Sequence, residues 1–518
     1  CGRELADRQV DLDQQAHHQL ARRAAAESSV LLKNEDDLLP LNSTARIALI
    51  GEFARRPRYQ GTGSSQVRPT QLDCAHDAIR DLLGDAGELF YADGYEPVYS
   101  EADSVLIEQA VAAAVQADVA VVFAGLPVTY ESEGFDRDHM RLPEQHNRLI
   151  EAVAAANANT VVVLCNGAPV EMPWLHDVRS VLETYLAGQA GGGAIADLLF
   201  GHANPSGKLA ETFPASLQDV AADAWFPGEN RQVQYREGLY VGYRYFDSAE
   251  APVLFPFGHG LSYTRFVYEN LAANVQGGTV DVAVQLTNAG ERAGAEVVQL
   301  YVRDVECTAY RPFQELKAFR KVFLQPGESR IVTLTLEQDA FAIFDAAQQA
   351  WVVEAGVYEL RVGSSSRDVR LTARIDVESQ QTLSAQTQGV SGPKVAGTCL
   401  EVSDATFAAM LGRALPAPEA ERPFHINSTL SEVQASWLGR KLKARVESEF
   451  KKNMGVDGSS DPTLEKMFDE MMHTMPLRGF VLFSRGKLDI NTMRAMIAVM
   501  NGEFIRAFRI LIGGDQRW

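Results

Sequence analysis

The chain has 518 residues, 46% of them hydrophobic and 22% charged, with a formal net charge of −20 and a pI near 5.0. That length corresponds to about three to four domains at roughly 150 residues each, and the composition is that of folded globular chains, which excludes the disordered, collagenous and membrane classes. The acidic balance excludes nucleic acid and an anionic membrane as partners, because both demand a concentrated basic surface.

The opening CGRELADRQ carries neither a methionine nor the basic and apolar regions of a leader, so the chain reads as processed or as the later part of a longer one. A lipidated Cys1 is disfavoured, because the sequence runs almost directly into a helix pattern without a flexible tether. Residues 11–36 have helix-forming composition, and LLPLN then turns the chain. ARIALIGEF (45–53), ADVAVVFAG (117–125), NTVVVLCNGAP (159–169) and SVLETYLAG (180–188) read as buried strands. Helical patterns lie at 100–117, 143–158 and 191–201. Continuous apolar strands alternating with amphipathic helices imply a mainly parallel sheet covered on both faces. Ligands of such sheets bind where the strands end, which is where the loops after Gly51, Gly125 and Cys165 emerge.

Residues 211 to about 265 form an irregular connection rich in glycine and aromatics, whose stripe of rings is expected at an inter-domain seam. The period then changes to two. TVDVAVQLTNAG, AEVVQLYVRD, SRIVTLTLEQ and GVYELRVGSSS alternate apolar and polar residues between turn signals, as a β-sandwich does. A polar linker follows near residue 378, and the stretch from 396 to 518 carries helical patterns. No segment reaches the roughly 18 apolar residues of a membrane span. The five cysteines (Cys1, Cys74, Cys165, Cys307, Cys399) are far apart and odd in number, without a CxxC pair. They fit thiols of a reducing compartment, so a cytoplasmic location is expected, with neither a disulfide frame nor a zinc site.

Chemistry concentrates in two loops. TYESEGFDRDHMRLP (129–143) follows an apolar strand and places Glu131 and Glu133 two residues apart, on one side of an extended segment. A carboxyl held near another, or partly desolvated, has a raised pKa and serves as a general acid. Asp136 and Arg137 read as a structural pair, and a solvated acidic loop is the plainer alternative for the whole stretch. RYQGTGSSQVRPT (58–70) satisfies neither GxGxxG nor GxxxxGK[ST] nor GxSxG. It offers backbone N–H groups with Ser64, Ser65 and Gln66, a set suited to sugar hydroxyls, although such a loop is more often simply a turn. The histidines show no ligand spacing; His139, His146, His202 and His259 read as surface or loop residues, and no metal is expected.

Together these stretches resemble glycoside hydrolase family 3 of the β-glucosidase type, through ESSVLLKNEDDLLPL, YQGTGSSQVRPT, ESEGFDRDHMRLPEQHNRLI, TVVVLCNGAPVEMPW, AIADLLFGHANPSGKLAETFP, YREGLYVGYRYFD and PFGHGLSYT. PFQELKAFRKVFLQPGESRIVTLTL resembles the fibronectin type III-like domain of the same enzymes. The resemblance covers about residues 20–378. It implies a multidomain α/β plus β chain: a linker and helix over 1–44 leading from a barrel, a six-stranded α/β sandwich over 45–215, the connection over 216–265, a fibronectin type III-like β-sandwich over 266–378, a linker over 379–395 and a mainly helical extension over 396–518.

The family's enzymes are retaining glycosidases in which an N-terminal (β/α)8 barrel supplies an aspartate nucleophile and the α/β sandwich supplies a glutamate acid/base. By the position before Gly-aromatic-Asp-Arg, that role carries over to Glu133, with Glu131 as second choice. Gly63, Ser64, Ser65, Gln66 and Arg68 match the part framing the aglycone side. No Ser-Asp-Trp motif occurs here, so the nucleophile is expected from a barrel outside these residues, and the isolated chain is expected to be nearly inactive. The implied enzyme is bacterial, needs no cofactor, and takes a small β-glycoside or oligosaccharide such as a terminal β-D-glucoside. The alternatives are a non-catalytic sugar-binding or interaction module and half of a two-chain enzyme. Contact of the linker and extension with a second subunit, making a homo-oligomer, is left open.

Overall fold

The computed structural model describes residues 12–96, 103–229, 232–389, 394–396, 399–418, 420, 422–453, 462–484 and 486–513. The CGRELADRQ opening lies outside the described residues.

The first part is a six-stranded sheet in the order β1-β6-β5-β4-β2-β3. Its strands are β1 (Val30–Asn34), β2 (Arg46–Ile50), β3 (Glu88–Ala92), β4 (Val119–Gly125), β5 (Thr160–Cys165) and β6 (Ser180–Glu183). All neighbours run parallel except β1, which pairs antiparallel with β6, Val30 opposite Glu183. Helices α1 (Gln14–Ser28), α2 (Ala75–Leu83), α3 (Ser104–Gln116), α4 (Glu144–Ala156) and α5 (Gly191–Leu199) cover both faces. Along β4, Ala120 and Val122 turn to one face, against Ala110 and Ala114 of α3 and Leu149 and Val153 of α4. Val121 and Phe123 turn to the other, against Ile79 of α2 and Ile195 and Leu199 of α5. Two covered faces explain why β4 and β5 are buried along their whole length and read as unbroken apolar runs.

The stretch 11–36, expected as one helix, divides in two. Asp13 caps α1 through the Ala16 N–H at 2.9 Å, and the helix stops where the Ser28 and Ser29 hydroxyls turn back onto the Ala25 carbonyl. Serine hydroxyls compete with the helical ladder in this way. The next residues, Val30, Leu31 and Leu32, gain more from the sheet, where all three are buried. Strand β3 escaped the sequence reading because it is a half-buried five-residue edge without a long apolar run.

The second part is a sandwich of β7 (Phe266–Gln276), β8 (Thr279–Asn288), β9 (Gly294–Asp304), β10 (Glu315–Leu324), β11 (Ser329–Leu336), β12 (Ala342–Asp345), β13 (Ala350–Val353), β14 (Gly356–Gly363) and β15 (Val369–Val377). A four-stranded sheet, β10-β9-β14-β15, faces a three-stranded one, β11-β8-β7, across a core that includes Val282, Leu300, Tyr358 and Leu360. The aromatic connection does form a seam. Tyr243 stacks on Phe257 at 4.6 Å and accepts the Leu316 N–H at 2.8 Å, while the Tyr263 hydroxyl donates to the Leu198 carbonyl at 2.9 Å.

The last part is helical, with its own core of Phe424, Leu430, Val433, Phe468, Met472, Leu477 and Met493. Arg236 of the connection ties it down by donating to the Val402 carbonyl at 3.0 Å and to Asp404 at 2.6 Å.

Candidate functional site

The loops after β2, β4, β5 and β6 all leave the carboxyl end of the sheet, and they carry Arg58, Glu131 and Glu133. The loop after β2 is closed by Gln60, whose amide donates to the Val67 carbonyl at 3.0 Å while its oxygen accepts the Val67 N–H at 2.9 Å. Arg58, 8% exposed, then joins this loop to the next. Its guanidinium donates to the carbonyls of Leu126 at 3.2 Å and Glu131 at 3.0 Å, and also to that of Gln60.

Glu133 sits on this joint, exposed. Its N–H donates to the Thr62 carbonyl at 3.2 Å, and its Oε2 accepts both the Ser64 N–H at 2.6 Å and the Ser64 hydroxyl. Gly63 is what allows the approach: its φ is +105°, and a Cβ there would lie 2.4 Å from Glu133 Oε2. The Ser64 hydroxyl, and after it the Ser64 N–H, holds the Glu133 carboxyl below its ordinary value of 4.5. This corrects the expectation of a raised value. The exposed group keeps its hydration and gains two donors, so the charged form is favoured. The stabilisation from this contact is fully present above the ordinary value and is lost as the pH falls through the lowered one. Replacing Ser64 with Ala is expected to raise the Glu133 pKa, but only partly, because the backbone donor stays. Carbon-detected NMR titration of the glutamate side chains checks this; an unchanged or lower value would refute the role of the hydroxyl.

Glu131 does not share the site of Glu133. The backbone from 129 to 134 turns instead of extending, and Glu131 Oε2 reaches across to the Gly167 N–H at 2.9 Å, 3.9 Å from Arg58 Nη2. Ser65, Gln66 and Arg68 are exposed, and no side-chain hydrogen bond joins them to either glutamate. Of the five loop residues singled out from the sequence, the structure brings Gly63 and Ser64 to Glu133.

Behind Glu131 lies an acidic cluster that sequence reading missed. Glu183, fully buried at the end of β6, accepts from Tyr185 N at 2.8 Å and Asn166 Nδ2 at 2.9 Å. Burial outweighs those two donors and pushes its pKa up to about 8. Burial likewise raises Glu211, which accepts the Tyr185 hydroxyl at 3.4 Å. The one available signal was a carboxylate closing the apolar run SVLE. Arg137, expected to pair with Asp136, turns inward instead and donates from Nη1 to the Pro169 carbonyl at 3.0 Å, while its Nε and Nη2 have no hydrogen-bond partner. Burial lowers the pKa of the guanidinium, and the half-buried Glu131, Glu171 and Glu211 around it offset only part of that. A cavity of about 580 Å³ opens beside it, lined in part by His139, Glu211, Thr212 and Tyr240.

Of the four histidines read as surface or loop residues, His139, His202 and His259 lie in loops, and His146 needs correction. His146 is a core residue on α4, 1% exposed, lying 4.0 Å from the Tyr95 ring and accepting the Gly125 N–H; burial lowers its pKa to about 3. His259 is half-buried in its loop and bonds the Leu32 carbonyl at 2.9 Å. Cys74, Cys165 and Cys307 are free thiols. Cys307 lies with Asp304 and Glu354, their ligand atoms within 4.8 Å of one another, but Arg311 and Thr308 already engage the two carboxylates.

Comparison with known proteins gives this geometry a context. The glycosyl hydrolase family 3 C-terminal domain matches residues 29–263, and the fibronectin type III-like domain matches residues 296–366. Over 493 residues the chain is 51% identical to the thermostable beta-glucosidase B of Acetivibrio thermocellus, covering 94% of this chain and 60% of that protein. It is 43% identical over 378 residues to an exo-alpha-(1->6)-L-arabinopyranosidase of Bifidobacterium longum, covering 71% of this chain and 49% of that protein. The crystal structure of a family 3 beta-glucosidase from Bifidobacterium adolescentis superposes with a TM-score of 0.70 at 43% identity, over 73% of this chain and 55% of that one. The chain thus spans between about half and three fifths of the length of these relatives.

Proposed function

Because the chain belongs to glycoside hydrolase family 3, whose C-terminal and fibronectin type III-like domains it carries, we propose that it supplies the general acid/base of a retaining β-glycosidase acting on terminal non-reducing β-D-glucosides. A preceding (β/α)8 barrel would supply the nucleophile. The observation that carries this reading is Glu133 itself: an exposed carboxylate at the carboxyl end of the sheet, gripped through one oxygen on a loop that Arg58 braces.

Retention requires two carboxyl groups about 5 to 5.5 Å apart across the sugar. In the first step, protonated Glu133 gives its proton to the glycosidic oxygen as the barrel carboxylate attacks the anomeric carbon. The bond to the leaving group breaks and a glycosyl ester forms. In the second, Glu133 as carboxylate takes a proton from water, the water oxygen bonds the anomeric carbon, and the ester bond breaks. The grip of Ser64 favours the form of Glu133 that the second step uses, whereas desolvation by a bound sugar favours the protonated form of the first.

Glycone preference is set in the barrel of such enzymes, and the relatives include both a glucosidase and an arabinopyranosidase. We place the enzyme in a bacterial cytoplasm on the strength of its free thiols and bacterial relatives. Among the described residues no helix is long and apolar enough to cross a membrane.

The test is hydrolysis of p-nitrophenyl β-D-glucoside and α-L-arabinopyranoside by the 518-residue chain, by itself and joined to a family 3 barrel. Turnover of the glucoside is expected with the barrel and not without it. Turnover by the chain by itself, or none with a barrel that folds, overturns the proposal; the second result favours a sugar-binding module.

A further inference from the structure

The helix Pro462–Thr474 belongs to the C-terminal extension, yet it touches the loop that carries Glu133 on both sides of that residue. Lys466 Nζ donates to the Thr129 carbonyl at 3.4 Å and lies 4.3 Å above the Phe135 ring. Ser132 Oγ lies 3.8 Å from Met467 Sδ. At Gly134, φ is +95°, a conformation that favours glycine, and an added Cβ would stand 3.3 Å from Met467 Cε, close enough that the methionine would have to yield by a few tenths of an ångström. The helix is itself anchored, because Phe468 and Met472 insert into the core of the extension beside Phe424, Leu430 and Met493.

We infer that this helix positions the Glu133 loop, with Lys466 and Met467 as positioning residues that clamp it from one side while Ser64 and Arg58 hold it from the other. The inference rests on the reading of Glu133 as acid/base and adds a role for the extension. The physical basis is simple. A surface loop between a strand and a helix has few contacts of its own, and proton donation demands a carboxyl held to within a fraction of an ångström. Two residues more than 330 positions away in the chain supply three contacts, to residues 129, 132 and 135, and Met467 also stands next to Gly134. A cation over an aromatic face and a thioether against backbone tolerate small adjustments without losing contact, which suits a loop that admits a substrate.

Two measurements test it. In the 518-residue chain, amide hydrogen exchange over residues 129–135 is expected to be about tenfold or more faster in Met467→Ala, and to return towards the parent rate in Met467→Leu. Unchanged exchange in Met467→Ala and in Lys466→Ala overturns the clamp, and this readout does not depend on catalysis. In the barrel-completed protein, Met467→Ala is expected to lower kcat/KM for cellobiose, whose leaving group needs the proton, by about tenfold. The value for 2,4-dinitrophenyl β-D-glucoside, whose leaving group does not, is expected to stay within about twofold. An equal loss on both substrates, or none, overturns the positioning role. Absence of hydrolysis by the parent protein would instead overturn the glycosidase reading, leaving the exchange result to decide the clamp.

Discussion

Replacing Glu133 with Gln in the barrel-completed protein is expected to lower kcat/KM for cellobiose by about 10² to 10⁴-fold, the usual contribution of a positioned proton donor. The side chain is exposed and its Oε2 contacts come from donors that an amide oxygen also satisfies, so stability is expected to stay close to that of the parent. Loss of activity would therefore report chemistry and not folding. With a dinitrophenyl leaving group the first step is spared while the second still lacks its base, so a glycosyl ester should accumulate as a burst, and added azide should release it. Glu131→Gln is the control, since Glu131 is bonded to Gly167 and directed away from Ser64. Near-normal turnover in Glu133→Gln, together with collapse in Glu131→Gln, would transfer the role to Glu131.

The second large effect is expected at Arg58. Arg58→Ala removes three hydrogen bonds to the Leu126, Gln60 and Glu131 carbonyls from a side chain that is almost wholly buried. A hydrogen bond from a charged donor contributes about 1.5 to 3 kcal/mol, and breaking a buried network leaves unpaired acceptors. A loss near 3 kcal/mol in denaturant unfolding is the expected result. Because the same guanidinium ties the Glu133 loop to the Ser64 loop, kcat/KM should also fall by about 10²-fold in the barrel-completed protein. Arg58→Lys should recover little, since an ammonium cannot reproduce three bonds in the plane of a guanidinium. Parent-like stability in Arg58→Ala would mean that the two loops are held by other contacts.

These expectations show where the sequence was informative. β4 and β5 announce themselves because both faces of the sheet are covered, so burial is written into every residue. Glu133 is recognisable from its motif, and Gly63 and Ser64 from a glycine-rich loop. What pairs with what is another matter. The Ser64 grip on Glu133 spans 69 positions, the Arg58 brace 73 and the Met467 contact 335, and no local pattern encodes such distances. The same limit explains the error in sign at Glu133. A lowered pKa follows from two donors supplied by another loop, whereas the sequence suggested proximity to Glu131. Glu183 was hidden because a lone carboxylate at the end of a strand reads as the start of a solvated turn, until the fold encloses it. The break in the stretch 11–36 depended on two serines whose effect is decided by the empty edge of β6.

That edge bears on how the molecule could be recombined. β1 comes before the stretch in which the α/β pattern becomes obvious, yet Leu31 and Lys33 lie opposite Leu182 and Val181 and close the sheet. An exchange of upstream partners spliced at residue 45 would strip that strand away. It would bare a row of N–H and C=O groups along Ser180–Glu183, a template for pairing with another chain. A safe crossover lies before Asp13, so that α1 and β1 stay with the sheet they complete.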